Sequence, residues 1–488
     1  MSAKENVTEN SFTKGVRCFA VSLPALLVIA IGVTAGCAVL FIANPLKALA
    51  LAGGLALGAV IIDKTRWGVL LLIFTSYTYF SEVATEFHGA PSIILILIAL
   101  LICGLVFQFF YYGEQVTGWQ EVTILLVVNG LVGAATLFVT ISPEVTLTAL
   151  SNYGKNAIIA IIIVMLLNDE MQLRRALWAL LAAVIFIGTI AVFQHISGNF
   201  SSNFGGFGQA MVKEIVGKSK GYRIGGPLGE CNFFAQILLV PIPLAVHFLL
   251  HERPLHMRLM AAWALAASLL ASLFTYSRGG FVALMAMVGL YSVMNPRHLK
   301  YIIVFVILVA GTFFIAAPQY FERMKSLQHT ISGITQNGSN DTAFQGRLSE
   351  MIVAWKLFED HPMLGAGLAT YPKHYQTYAR QVFLDFRLEE RNAHSRYLEI
   401  LAETGLLGMA VFSLILWRLF RGLWLSRQKA LFTEKKELME IITAFGIGLV
   451  GFLTASIFLH DGYPRYFWIL ASIGFAIPNV VKLECQDR

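Results

Sequence analysis

Charge is scarce in this chain. Of its 488 residues only 13% are Asp, Glu, Lys or Arg, against 57% hydrophobic, whereas a soluble domain carries about 25% charged and about 45–50% apolar residues. That shortage excludes a disordered polyelectrolyte, a nucleic-acid-binding domain and a soluble globular chain. Cysteine is equally sparse. Cys18, Cys37, Cys103, Cys231 and Cys485 lack framework or metal-ligand spacing, which implies no structural disulfide or zinc site. Ionisable residues are rare inside the apolar runs, where an ion-coupled transporter would carry them. The polar start Met1 to Arg17 leads into a long apolar run without a small-residue cleavage pattern, so this run is expected to remain as an anchor.

What the sequence does have is a succession of apolar stretches. A bilayer core needs about 20 such residues per helix, and fourteen segments qualify: 18–43, 46–62, 67–80, 91–112, 121–141, 155–167, 174–196, 229–250, 257–275, 279–294, 299–317, 406–424, 440–460 and 464–482. The expected fold is an all-α polytopic membrane protein of about 14 transmembrane helices. Segments 67–80 and 155–167 are the weakest, and losing both leaves 12.

The net charge of +7 fits the bias by which Lys and Arg orient membrane proteins. With the N-terminus inside, nineteen basic residues fall on the cytoplasmic side, from Lys4, Lys64, Arg174 and Arg253 to Lys435 and Arg488. Four fall in short outer connections: Lys47, Lys155, Arg278 and Arg465. Both termini are therefore expected in the cytoplasm. The chain divides into an N-terminal bundle over 1–317 with about 11 spans and an outer loop at 197–228, a loop domain at 318–405, and C-terminal spans at 406–488.

Both long loops then lie on the outer face. Leu348, Met351, Ile352 and Trp355 are spaced to share one helical face, as are Tyr375, Tyr378, Ala379, Val382 and Phe383 after Pro372. Two surface helices are expected there, joined by a turn over Asp360 to Gly367. The smaller loop, with Gly198, Gly205, Gly206 and Gly208 among Ser, Asn and Phe, reads as a loose connection.

Polar residues gather beside glycines at three outer helix ends: Gly221 to Asn232, Tyr276 to Gly280, and Arg391 to Arg396. Arg223 ends a basic stretch with Lys213, Lys218 and Lys220. Its planar fork suits phosphate, and Gly225, Gly226 and Gly229 would let the backbone approach a ligand. The alternative is an arginine snorkelling to lipid headgroups. Arg278 sits in a short turn between Ser277 and two glycines, where it either meets an anion or caps a helix C-terminus. His394 has the chemistry of a general base, or is a helix-start residue. His247 and His251, at i and i+4, fall on the cytoplasmic side and decorate a helix end.

Together these residues resemble the O-antigen ligase and polysaccharide polymerase superfamily of bacterial membrane glycosyltransferases. His394-Ser395, nine residues, then Gly405-Leu-Leu-Gly408 fits the ligase signature of His, then Asn, Ser or Gln, nine residues and Gly-x-x-Gly. Arg223-Ile-Gly-Gly-Pro through Asn232 resembles the family's Arg-x-x-Gly with a later Asn, and Ser277-Arg278-Gly279 its Ser-Arg-Gly turn. Gly346-Arg-Leu through Trp355, then Pro362 to Gly367, resembles the run before the histidine. The likeness covers roughly 220–410; where many relatives have Asp-Pro-Asn this chain has Glu230-Cys231-Asn232.

The resemblance implies a GT-C-like fold with a large helical periplasmic loop. It implies transfer of a glycan from undecaprenyl diphosphate to an acceptor at the periplasmic face, the acceptor being a growing glycan or a lipid A core. His394 would be the base. Arg223 and Arg278 would bind the diphosphate and stabilise the leaving group, with Arg347, Asn232 and Ser395 also at the substrate. No cofactor and no metal enter that scheme. Protein O-glycosylation and transport of a lipid-linked glycan are the alternatives.

Overall fold

The computed structural model describes residues 58–113, 117–216, 219–294, 342–382 and 390–485, together with residues 54 and 311. The helices are α1 (Thr65–Tyr77), α2 (Phe80–His88), α3 (Ile93–Phe107), α4 (Gln120–Ala135), α5 (Pro143–Leu166) and α6 (Glu170–Ser197). Strands β1 (Gln209–Val216) and β2 (Ser219–Gly226) follow. Then come α7 (Cys231–Leu239), α8 (Ile242–His251), α9 (Leu255–Phe274), α10 (Arg278–Met294), α11 (Thr342–Asp360), α12 (Tyr371–Val382), α13 (Arg396–Phe432), α14 (Lys436–Ala455) and α15 (Pro464–Glu484).

Nine helices among the described residues are long and apolar enough to cross a membrane, α7 and α8 counting as one. The expected span 18–43 lies outside the described residues, as do most of 46–62 and nearly all of 299–317. Segment 67–80 falls short of a span: α1 has 13 residues, and the chain turns at Tyr79, whose φ is 59°. Segment 155–167, by contrast, is the end of a 24-residue helix that starts at Pro143, whose fixed φ suits a first helical position. From sequence the polar run around Lys155 reads as a connection. Within the helix, the Tyr153 hydroxyl donates to Leu126 O at 2.7 Å and Asn156 accepts from Arg465. Lys155 therefore belongs to a helix, not to an outer loop.

The chain forms two compact units, Met1–Val69 with Ile96–Gln115, and Leu70–Leu95 with Val116–Arg488. In the first, Gln108 of a π turn after α3 donates to Thr65 Oγ1 at 2.8 Å. The second holds every site residue. Contacts between its helix ends define two faces. On one face Arg174 joins Glu252 and Glu437, and Lys435 joins Glu484 and Glu170. On the other, Thr146 donates to Leu368 O, Tyr463 to Leu228 O, and His394 lies against His460. The first face collects connections expected in the cytoplasm and the second those expected outside.

The smaller loop departs from the all-α expectation. β1 and β2 pair antiparallel, with Met211 opposite Arg223 and Gln209 opposite Gly226. The alternating sequence suits a hairpin more than a loose connection. β2 passes from exposed Tyr222 to buried Arg223 and Ile224, so the strand carries a guanidinium inward. The side chains of Lys213, Lys218 and Lys220 lie outside the described residues.

In the larger loop both expected helices form, as α11 and α12. The face of α12 is as expected, with Tyr371, Tyr375 and Ala379 buried and Tyr378 partly so; Phe383 lies outside the described residues. Leu348, Met351, Ile352 and Trp355 likewise share one face of α11, and it is the outward one. Leu348 and Trp355 are 41% and 46% exposed, while Ser349, Glu350, Val353, Ala354 and Leu357 turn inward. A small cluster forms between the two helices and Ala402.

Candidate active site

Three segments of the second face carry these residues. The first is the end of β2 and the start of α7. Arg223 is 3% exposed; its Nε donates to Thr275 O at 2.8 Å and its Nη2 to Asn232 Oδ1 at 3.1 Å and Tyr276 O at 3.4 Å. A residue so enclosed does not snorkel to headgroups. Gly225 serves this turn: a Cβ there would stand 2.5 Å from Gly229 O. The backbone needs its glycines to approach itself, before any ligand is considered.

The second is the α9–α10 turn. Tyr276 has φ 51°, and burial pushes its phenol up. Ser277 caps α10, its Oγ accepting from Gly280 N at 3.2 Å, which places Arg278 at the first residue of that helix, not at the end of α9. A helix N-terminus favours negative charge, so Arg278 and the first amides of α10 present the same sign. Arg223 joins the first segment to the second, because the carbonyls it holds belong to the two residues before Ser277.

The third segment contains His394, in a left-handed conformation with φ 47°. Such strain in a non-glycine residue persists only where the surroundings impose it, commonly at functional sites. His394 Nε2 lies 3.5 Å from Oε2 of Glu350, which is 2% exposed. Arg391 approaches the other oxygen at 3.9 Å. The His460 ring stands edge-on to His394 with centroids 5.6 Å apart, and burial pushes its imidazole down to about 4. Ser395 is buried directly before α13, and its carbonyl accepts from Glu399 N at 2.9 Å.

The Gly405-x-x-Gly408 part of the signature is architectural. Gly405 has φ 65° and ψ −161°, and a Cβ there would meet Met363 O at 2.3 Å. The bend lets Leu406 N bond to Pro362 O and Ala366 N to Ala402 O. The Pro362–Gly367 turn is thus stitched to α13.

Residues 263–413 match the family described as O-antigen ligase. Over those residues the chain is similar to the O-antigen ligases. A comparison with curated proteins found no match. The matched stretch encloses Arg278, Arg347, His394 and Ser395 but not Arg223, which bonds the Thr275 and Tyr276 carbonyls within it, or Asn232, which bonds Arg223. The matched family indicates a ligase-type glycosyltransferase acting on a lipid-linked glycan and an acceptor in a membrane.

Sequence reasoning missed Glu350, His460 and a polar cavity beside the histidine loop. Glu350 was legible as the one acid at i−3, i−4 and i−7 from Val353, Ala354 and Leu357. The cavity, of about 310 Å³, is lined by Asn129, Tyr153, Arg396, Glu399, Glu403, Asp461 and Trp468 among others. Arg396 and Asp461 pair across it at 2.9 Å. Glu403 accepts from the amides of Ala369 and Tyr371, and Glu399 from that of Asp461. Arg347 is half-buried on α11, three residues before Glu350.

Proposed function

We propose that this protein transfers a glycan from undecaprenyl diphosphate to an acceptor hydroxyl at the outer face of a bacterial inner membrane, as an O-antigen ligase or polysaccharide polymerase. The observation that carries the reading is the His394–Glu350 pair on the face that also holds Arg223 and Arg278. With Nε2 turned to Glu350, the carboxylate selects the tautomer whose Nδ1 accepts a proton and stabilises the imidazolium that forms. The acceptor oxygen attacks the anomeric carbon as its proton passes to His394. The bond from that carbon to the diphosphate breaks, and its electron pair leaves with the phosphate oxygen.

Arg278 and the amides at the start of α10 receive the negative charge, helped by Arg347. Arg223 sits behind them and sets their position while adding its own charge. Fixed donors aimed at developing charge supply a large share of such catalysis. The cavity walled by carboxylates, amides and Trp468 has the lining that sugars favour: hydroxyls bond to the acids, and ring faces lie on the indole. We assign the acceptor glycan to it. His460 and Asp461 connect the two parts, one against His394 and the other in the cavity wall.

The test is transfer from a lipid-linked oligosaccharide by the purified protein, with His394→Ala and Arg278→Ala expected to abolish product without altering membrane insertion. Unchanged product in both would refute the assignment. A deletion strain separates the branches: single repeat units on lipid A mark a lost polymerase, and bare core with accumulated lipid-linked polymer a lost ligase.

A further inference from the structure

At the end of the bundle away from the candidate active site, α8 and α14 bring together two histidines and a carboxylate. His247 and His251 share a face of α8 at i and i+4, and Glu440 comes from the first turns of α14. His251 Nε2 lies 3.0 Å from Glu440 Oε2, and His247 Nδ1 lies 3.6 Å from the same oxygen. The donor atoms of all three lie within 4.8 Å of one another. His247 is 6% exposed, and no hydrogen-bond partner meets its buried Nε2 among the described residues.

The hydrogen bonding defines what the rings can do. His251 Nδ1 stands 3.0 Å from His247 O. A carbonyl only accepts, so Nδ1 carries the hydrogen and the neutral ring presents a lone pair at Nε2. That lone pair faces a carboxylate oxygen, which also only accepts. A positive charge must lie on or between them. A proton on His251 answers that ring, and a second, buried imidazole converges on the same oxygen, so that three ligand atoms gather around one point where a single cation would meet them all.

We propose that His247, His251 and Glu440 form a divalent transition-metal site of the class that takes Zn²⁺, clamping α8 to α14. Two imidazoles and a carboxylate are borderline ligands that suit Zn²⁺ over Mg²⁺ or Ca²⁺. Metal bonds of about 2.0–2.2 Å in tetrahedral array put ligand atoms about 3.3–3.5 Å apart, and the distances to Glu440 bracket that range. The His247 carbonyl on His251 Nδ1 is the outer partner that commonly orients a ligating ring. Three protein ligands leave the fourth position to water. Arg174, Glu252 and Glu437 stand nearby as a separate paired group. The site lies fifteen residues along the α7–α8 span from Asn232, roughly 20 Å at 1.5 Å per residue, so its role is to fix the helices rather than to touch substrate.

The experiment uses the full chain, purified in detergent, stripped with EDTA and titrated with Zn²⁺ by calorimetry, with Mg²⁺ as control. One Zn²⁺ per chain, a rise in Tm on loading and no response to Mg²⁺ are expected. His251→Ala and Glu440→Gln should each weaken binding at least roughly tenfold and lose the Tm rise, while His394→Ala binds as the wild type does. Tm values in EDTA show whether each variant keeps its fold. The wild type loaded with Co²⁺ decides independently, since tetrahedral nitrogen and oxygen coordination gives visible absorption bands. No saturable Zn²⁺ uptake, no such bands, or wild-type affinity in both variants would overturn the proposal.

Discussion

His394 Nε2 stands 3.5 Å from Oε2 of Glu350, a carboxylate almost wholly enclosed by protein. If Glu350 orients the base, Glu350→Gln should lower kcat for glycan transfer by about 10–100-fold, less than the roughly 10²–10⁴-fold expected for His394→Ala. KM for the donor should hardly move. Steady-state kinetics on the lipid-linked substrate checks this, and a Glu350→Gln enzyme with wild-type kcat would contradict it.

Arg278 opens α10 behind the Ser277 cap. Arg278→Ala should cost about 10²–10³-fold in kcat, the scale of losing one preorganised donor to developing charge. Arg278→Lys keeps the charge but loses the planar fork and should fall between. Arg223 is tied to two carbonyls and Asn232, so Arg223→Ala should also lower Tm, which a melting curve of that variant checks.

His460 introduces a pH dependence of stability. Burial pushes its imidazole down from an ordinary 6.5 to about 4, so the unfolded chain binds more protons between those values. The neutral ring's contribution is complete above about pH 6.5 and is lost as pH falls toward 4. A shift of that size corresponds to on the order of 3 kcal/mol. The Tm of the wild type should fall over this window, and that of His460→Asn should fall less.

Gly405 is expected to tolerate nothing larger. Gly405→Ala places a Cβ 2.3 Å from Met363 O in a backbone region closed to other residues, a loss of about 3 kcal/mol or more. Gly446, beside which a Cβ meets nothing within 4 Å, provides the control. Thermal unfolding of the two alanine variants should separate them clearly.

The spans were legible because lipid demands long apolar helices, and where hydropathy was interrupted the reading failed. The polar residues around Lys155 looked like a connection because their partners, Leu126 O and Arg465, come from distant helices. On α11 the apolar spacing marked a face that the fold leaves outward, since an apolar Trp355 need not face the core, while the inward face carries Glu350 against His394. The residues of the signature, Arg223, Arg278 and His394, were visible by type and spacing. His460 and the Arg396–Asp461 pair were not, and Glu350 showed only as the acid in line with Val353, Ala354 and Leu357, since only folding brings positions 350, 394 and 460 together. The hairpin escaped notice because its two short strands lie in a chain whose every other signal is helical.

The stitching of Pro362–Gly367 to α13 fixes more than a turn. The Leu406, Ala366 and Gly367 amides all bond across the seam, and Glu403 fastens Ala369 and Tyr371 to the same helix. The distance along the chain from α11 to α12 is therefore a ruler. Adding or removing one residue there would slide Glu350 away from His394 and Glu403 out of the cavity wall together. Substitutions at Asn129, Asn152 or Trp468 would reshape the cavity wall without moving that register, whereas a change in the length of the segment could not.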